Sequence, residues 1–308
     1  MVSVSQTKHL HAQAAGWIIL CRAAFIGMMA LVKFLPYQTL QVNLCRSVIN
    51  MAIVLLVLAY QRKLHFKSKQ PKLQLVRVIC GAFGMMCYYY AFRNLDMAKA
   101  STLLFAQALI LPVLAMIFLH EKSGWRRILA VVIGYIGIWV ALDPVYEEFS
   151  YAEGIALLAA ALGAGAMVSG KKLTATDNTL LLMFFSGLAT VSLLAPLFVF
   201  DISLFGMIEK VHWQPMLLDD WKYILLIVLC SLTAQYSHIR SYKIGDIGFL
   251  APFEYLKFIF SLVIGYLFFA EFPETTTYIG AAIVMGSTLY LTKRELKKNP
   301  QYNYRPDR

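Results

Sequence analysis

The chain has 308 residues, 59% of them hydrophobic and only 15% charged, with a formal net charge of +11. Its mean hydropathy of +0.64 lies outside the range of soluble domains and describes an integral membrane protein embedded in a lipid bilayer. A nucleic-acid binder is excluded, because the basic residues fall in short loops between apolar runs and form no stripe on a soluble domain. Cys21, Cys45, Cys80, Cys87 and Cys230 all lie inside apolar runs with neither CxxC nor Cys/His spacing, so they read as packing thiols and not as metal ligands. No phosphate loop, zincin motif or nucleophile elbow occurs, which argues against ATP-driven transport by this chain and against an enzyme; no catalytic residue and no cofactor is expected.

Ten apolar runs of spanning length follow one another: Ala15 to Leu35, Leu40 to Tyr60, Val76 to Phe92, Ala98 to Leu119, Trp125 to Leu142, Ala152 to Gly170, Leu180 to Phe200, Tyr223 to Tyr242, Ile247 to Phe269, and Tyr278 to Thr292. The first is a span and not a signal peptide, since Arg22 lies inside it and no small-residue cleavage site follows. The longest connection, Asp201 to Trp221, carries Gly206, Pro215 and acids and reads as an external loop. One side of the bilayer collects Lys8, Arg62, Lys63, Lys67, Lys69, Lys72, Lys122, Arg126, Arg127, Lys171, Lys172, Lys243, Lys293, Arg294, Lys297 and Lys298; the other collects mostly acids, among them Asp143, Glu153, Asp220 and Glu271. The basic side is cytoplasmic by the positive-inside rule, and an even number of spans leaves both termini there. The tail after Thr292 reads as a frayed helix end followed by disorder.

The chain repeats itself. Shifting Cys80 to Trp139 by 150 residues superposes Cys80 on Cys230, Tyr88 on His238, Asp96 on Asp246, Gln107 on Lys257 and Glu121 on Glu271. Further back, Gly16, Gly27 and Lys33 fall on Gly154, Gly165 and Lys171, and Thr39-Leu40 on Thr179-Leu180. The expected architecture is therefore all-α with ten transmembrane helices in two five-helix repeats; because five is odd, the second repeat enters with inverted topology. The expected divisions are a cytoplasmic tail over 1–14, repeat 1 over 15–142, repeat 2 over 143–292 and a basic tail over 293–308.

The ninth run opens on Ile247-Gly248-Phe249-Leu250-Ala251-Pro252-Phe253-Glu254-Tyr255-Leu256-Lys257. Its carboxylate and ammonium are three residues apart, on one face of a helix. An ionised side chain at the centre of a span costs roughly 2.5 to 3.5 kcal/mol, so such residues face a protein interior or a wet cavity. Glu254, Tyr255 and Lys257 are the leading candidates for contact with a charged or zwitterionic solute; the structural alternative is an ion pair that locks this helix to a neighbour. Arg46 lies too deep in the second run to snorkel and can take a carboxylate bidentately, or hold structure. Tyr88-Tyr89-Tyr90 points three ways around a helix, so one or two rings, Tyr89 among them, can face a cavity. The repeat brings Gln107 opposite Lys257, and His238 with Gln235 adds a further lining pair in the eighth run. Ala156, Ala160, Gly163, Ala164 and Met167 recur at helical spacing and permit close helix contact. Pro112 and Pro252 lie inside spans and can kink them.

These residues carry a resemblance. Lys33, Cys45-Arg46-Ser47, Val76-Arg77-Val78 with Gly81 and Gly84, Phe118-Leu119-His120-Glu121, Leu250-Ala251-Pro252-Phe253-Glu254-Tyr255 and Phe268-Phe269-Ala270-Glu271-Phe272-Pro273 together resemble the EamA-type branch of the drug/metabolite transporter superfamily over nearly the whole chain. The resemblance implies ten helices in inverted repeats and secondary transport of small organic metabolites across the bacterial inner membrane. Within that branch the pattern is similar to S-adenosylmethionine uptake transporters, with a departure: that group has a basic residue where Glu254 stands and an acidic one where Lys257 stands. The expected function is thus alternating-access transport of a small polar metabolite, S-adenosylmethionine or a related charged metabolite or amino acid. A homodimer is compatible with it, and a membrane sensor or scaffold with a structural ion pair is the alternative.

Overall fold

The computed structural model describes residues 4–62, 68–107, 109–110, 125–142, 150–174, 176–199, 213–244, 253 and 256–298. Among them are ten α-helices, a 3-10 turn at Leu218–Asp220 and no strand. The helices are α1 (Val4–Phe34), α2 (Thr39–Tyr60), α3 (Pro71–Asn94), α4 (Met97–Leu104), α5 (Trp125–Leu142), α6 (Tyr151–Thr174), α7 (Thr179–Val199), α8 (Trp221–Ile244), α9 (Leu256–Phe269) and α10 (Thr275–Lys298). Six apolar stretches within them are long enough to cross a membrane: Gln13–Phe34, Thr39–Tyr60, Pro71–Asn94, Tyr151–Gly170, Thr179–Val199 and Leu218–Ser241.

Several helices extend past the apolar runs that announce them. α1 begins at Val4, well before Ala15, because Lys8, Gln13 and Ala12 propagate a helix without contributing hydropathy. Pro71 starts α3 from its first position, where a missing N–H costs nothing. α10 continues through Lys293-Arg294-Glu295-Leu296-Lys297-Lys298, strong helix formers that carry the helix beyond the expected fraying point. Of the runs Ala98 to Leu119 and Ile247 to Phe269, only parts are described, and Glu121, Pro112 and Pro252 lie outside the described residues.

The two halves match in register. α3 and α8 each have 24 residues and begin at Pro71 and Trp221, 150 apart; α5 and α10 begin at Trp125 and Thr275, the same distance apart. α2 and α7 begin at Thr39 and Thr179, 140 apart, as do the ends of α1 and α6 at Phe34 and Thr174. Packing follows the same exchange. α3 lies along α6 as α8 lies along α1, α2 meets α8 as α7 meets α3, α1 meets α9 as α6 meets α4, while α5 packs on α10, α2 on α7 and α4 on α9. Faces turned away from these contacts carry exposed Leu55, Leu56, Leu225, Leu226 and Leu229, the apolar surface a bilayer requires. The largest core cluster gathers Ile26, Met28, Met29 and Val32 of α1 against Tyr89 and Phe92 of α3.

Candidate functional site

α2 is an apolar helix with one polar stripe. Asn43, Arg46, Ser47 and Asn50 are spaced three or four apart, hence stacked on one face, and that face meets Ser231 of α8. Arg46 Nη1 donates to Ser231 Oγ at 2.6 Å, and Nη2 donates to Asn43 Oδ1 at 2.7 Å and Ser47 Oγ at 3.1 Å. Asn50 Nδ2 donates to the same Ser231 Oγ at 2.9 Å. The guanidinium also lies 5.7 Å from the ring centroid of Tyr89, a fully buried side chain whose hydroxyl contacts Met28 Sδ at 3.8 Å. At 1.5 Å per residue Arg46 sits about 10 Å, and Asn50 about 16 Å, from the start of α2, near mid-bilayer depth. Arg46 is only 3% exposed. Among the described residues, its Nε, the Asn43 Nδ2 and the Asn50 Oδ1 have no hydrogen-bond partner.

A second group joins the candidates at repeat-related positions. The Tyr88 hydroxyl donates to Gln107 Oε1 at 2.7 Å, and Gln107 Nε2 faces Met167 Sδ at 3.8 Å. Gly163 of α6 makes room for this amide, since a Cβ there would stand 2.9 Å from Gln107 Oε1. Phe25 of α1 meets Tyr88 edge-on at 5.7 Å, and Lys257 Nζ lies 5.7 Å from the Phe25 ring centroid. Gln107 and Lys257 therefore approach one aromatic pair from opposite halves. His238 is half-buried on α8, and its carbonyl accepts from Ser241 Oγ at 2.8 Å. Glu254 and Tyr255 lie outside the described residues.

The rim at which α1 ends is closed by charge. Lys33 forms a short ion pair with Glu271 and donates to the Leu95 carbonyl at 2.8 Å, while Glu271 Oε2 accepts from the Met97 amide at 2.7 Å. The carboxylate thereby caps the positive N-terminal end of α4. Gly265 admits it, because a Cβ there would lie 2.8 Å from Glu271 Oε2. Ala270, at φ 52°, turns the chain so that the carboxylate points back. Nearby, Lys99 pairs with Glu153 at 3.0 Å, and Glu153 and Ser150 cap each other's amides at the start of α6. The Tyr37 hydroxyl donates to Asp220, whose carboxylate beside it holds the phenol above its ordinary pKa.

Asn43, Asn50, Ser231 and Phe25 were not foreseen from sequence. The first two carried a readable signal, polar residues at i, i+3 and i+7 around Arg46 in an otherwise apolar helix; Ser231 and Phe25 carried none. A crevice of about 280 Å³ between α2 and α7, lined by Leu44, Val48, Ala195, Trp213 and Trp221, is almost wholly apolar and separate in character from both polar groups.

Comparison with known proteins agrees with this architecture. A solved crystal structure superposes with a TM-score of 0.58 at 16% identity over 95% of this chain and 99% of that one, a shared fold. The S-adenosylmethionine uptake transporter of Rickettsia felis is 25% identical over 286 residues, 92% of this chain and 93% of its own length. The riboflavin transporter of Vibrio cholerae is 24% identical over 299 residues, 95% and 97% of the two chains. The profile of the EamA-like transporter family matches residues 13–142 and 151–293. The chain belongs to the EamA-like transporter family and is a metabolite transporter.

Proposed function

We propose that the chain is a secondary carrier for a small polar metabolite, working by alternating access with its route between two inverted five-helix repeats. Ten spans place both termini on the cytoplasmic side of the inner membrane, by the charge asymmetry of the loops. The observation that carries this reading is that both mid-depth polar groups are built across the halves: Arg46 of α2 with Ser231 of α8, and Lys257 of α9 with Phe25, Tyr88 and Gln107. Polar and ionisable residues there are costly and mark solute pathways by default. Arg46, Tyr89, Gln107, His238, Glu254, Tyr255 and Lys257 line the route, and the Lys33–Glu271 rim is its periplasmic gate in the closed position. The exchange symmetry of the helix packing supports two equivalent rocking units.

S-adenosylmethionine heads the substrates to test. Full-length protein in proteoliposomes should exchange labelled S-adenosylmethionine or riboflavin against an internal pool of the same compound, above protein-free vesicles. A folded protein that moves neither these nor amino acids would return the chain to the scaffold reading.

A further inference from the structure

Two lysines at the closed rim each have a carboxylate: Lys33 has Glu271, and Lys99 has Glu153. Arg46 has none. Its partners are Ser231, Asn43, Ser47 and the Tyr89 ring, all neutral, although it is more deeply buried than either lysine. A guanidinium is charged at any accessible pH, and an ionised group held away from water with only neutral partners is costly. The unused hydrogen-bonding capacity is specific in kind. Arg46 Nε and Asn43 Nδ2 are donors without acceptors, and Asn50 Oδ1 is an acceptor without a donor.

From this we infer that Asn43, Arg46, Asn50 and Ser231 form a binding site for the carboxylate of a zwitterionic solute, an amino-acid-type headgroup. The carboxylate takes the idle N–H groups of Arg46 and Asn43 and neutralises the guanidinium. Asn50 Oδ1 accepts an N–H from the ammonium of the same headgroup. One cation matches one negative charge, which favours a carboxylate over a phosphate dianion. Ser231 Oγ, already accepting from both Arg46 and Asn50, fixes the two sides of the site at one spacing. The inference rests on the carrier reading and adds the solute class to it.

The test uses full-length protein in detergent, with binding titrated by the shift in unfolding midpoint. Matched probes are S-adenosylmethionine against its decarboxylated form, and methionine against methioninamide, with riboflavin as a solute lacking a carboxylate. The carboxylate member of at least one pair should bind roughly ten- to a hundred-fold more tightly than its partner, and Arg46→Gln should abolish that preference. Asn43→Asp guards against a misfolded Arg46 variant. It places an internal carboxylate where Asn43 Oδ1 already meets the guanidinium at 2.7 Å, so it should raise the ligand-free midpoint and weaken carboxylate binding at least about tenfold. The inference is overturned if the paired probes bind alike, if no carboxylate binds, or if Asn43→Asp leaves carboxylate binding intact. Flux of riboflavin into proteoliposomes separates the two claims: flux retained with no carboxylate preference sinks only the headgroup site, whereas no flux of any probe sinks the carrier.

Discussion

Glu271→Gln should open the rim closed by Lys33. The side chains of Lys33 and Glu271 are 16% and 8% exposed, between the fully solvated pairs worth up to about 1 kcal/mol and the fully buried ones whose breakage costs about 3–5 kcal/mol. Glutamine keeps an oxygen for the Met97 amide but leaves Lys33 with only the Leu95 carbonyl and the Phe269 ring at 5.4 Å. About 2 kcal/mol is the reasonable middle, and all of it falls on the closed state, because these contacts bridge elements that separate when the rim opens. That shifts the open-to-closed ratio by about 30-fold. Nitroxides at exposed Asn94 and Thr275, in a background with the native cysteines replaced, report the rim distance by pulsed electron resonance in nanodiscs. The expected result is a long-distance population absent from the unmutated rim, with Lys33→Glu/Glu271→Lys restoring the short one. An unchanged distance distribution in Glu271→Gln would refute the reasoning, and the pair would then be packing rather than a gate.

Three further outcomes follow from other residues. Gly163→Ala drives a methyl against Gln107 Oε1, so it should break the Tyr88–Gln107 bond and cut transport about tenfold or more at nearly unchanged expression, read as uptake per reconstituted protein. Ala270→Gly removes the cost of a Cβ at φ 52° and should raise stability by about 1 kcal/mol, seen as a higher unfolding midpoint in detergent. The Asp220 carboxylate raises the pKa of Tyr37, so the stabilisation from this contact is complete below about pH 10, the ordinary phenol value, and is lost as pH rises through the higher folded value. The unfolding midpoint of the native protein should therefore fall more steeply at strongly alkaline pH than that of Tyr37→Phe; parallel profiles would contradict the assignment.

Hydropathy located helices because lipid imposes a length and a polarity on any segment that spans it, and six of the apolar stretches are long enough to do so. Trp125–Leu142 is the same in sequence and structure, and Thr39–Tyr60 differs from expectation by one residue. It missed the helical extensions at Val4, Pro71 and Lys298, since helix formation asks only for good propagators, and Lys, Gln and Glu serve as well as Leu. At the site, Arg46 stood out as a charge in an apolar run. Its partner Ser231 did not, because a hydroxyl inside a span satisfies itself against its own backbone and gives no sign of facing outward. Lys33 and Glu271 were each visible as helix-end residues, but their pairing spans 238 positions and required the fold.

The repeat sharpens what is special about Arg46. Under the 140-residue offset of α2 and α7, Arg46 falls on Ser186, and Ser186 too is bound by an arginine, Arg77 of α3, at 3.1 Å. Both copies of this interface, α2 with α8 and α7 with α3, thus carry an arginine–serine bridge, with donor and acceptor on exchanged helices. Their surroundings differ. Arg77 begins only six residues into α3 and ends on the Leu182 carbonyl, a backbone group close to the start of α7, so its charge resides near one face of the bilayer. Arg46 instead meets side chains alone, and idle polar atoms remain on its partner Asn43 and on Asn50, which shares Ser231 with it. The proposed rocking between two states calls for equivalent contacts in both halves, and the matching helix packing is of that kind. On the carrier reading proposed above, a solute without a two-fold axis is recognised where the halves differ, and Arg46/Ser186, Tyr88/His238 and Gln107/Lys257 are unlike pairs among the candidate residues.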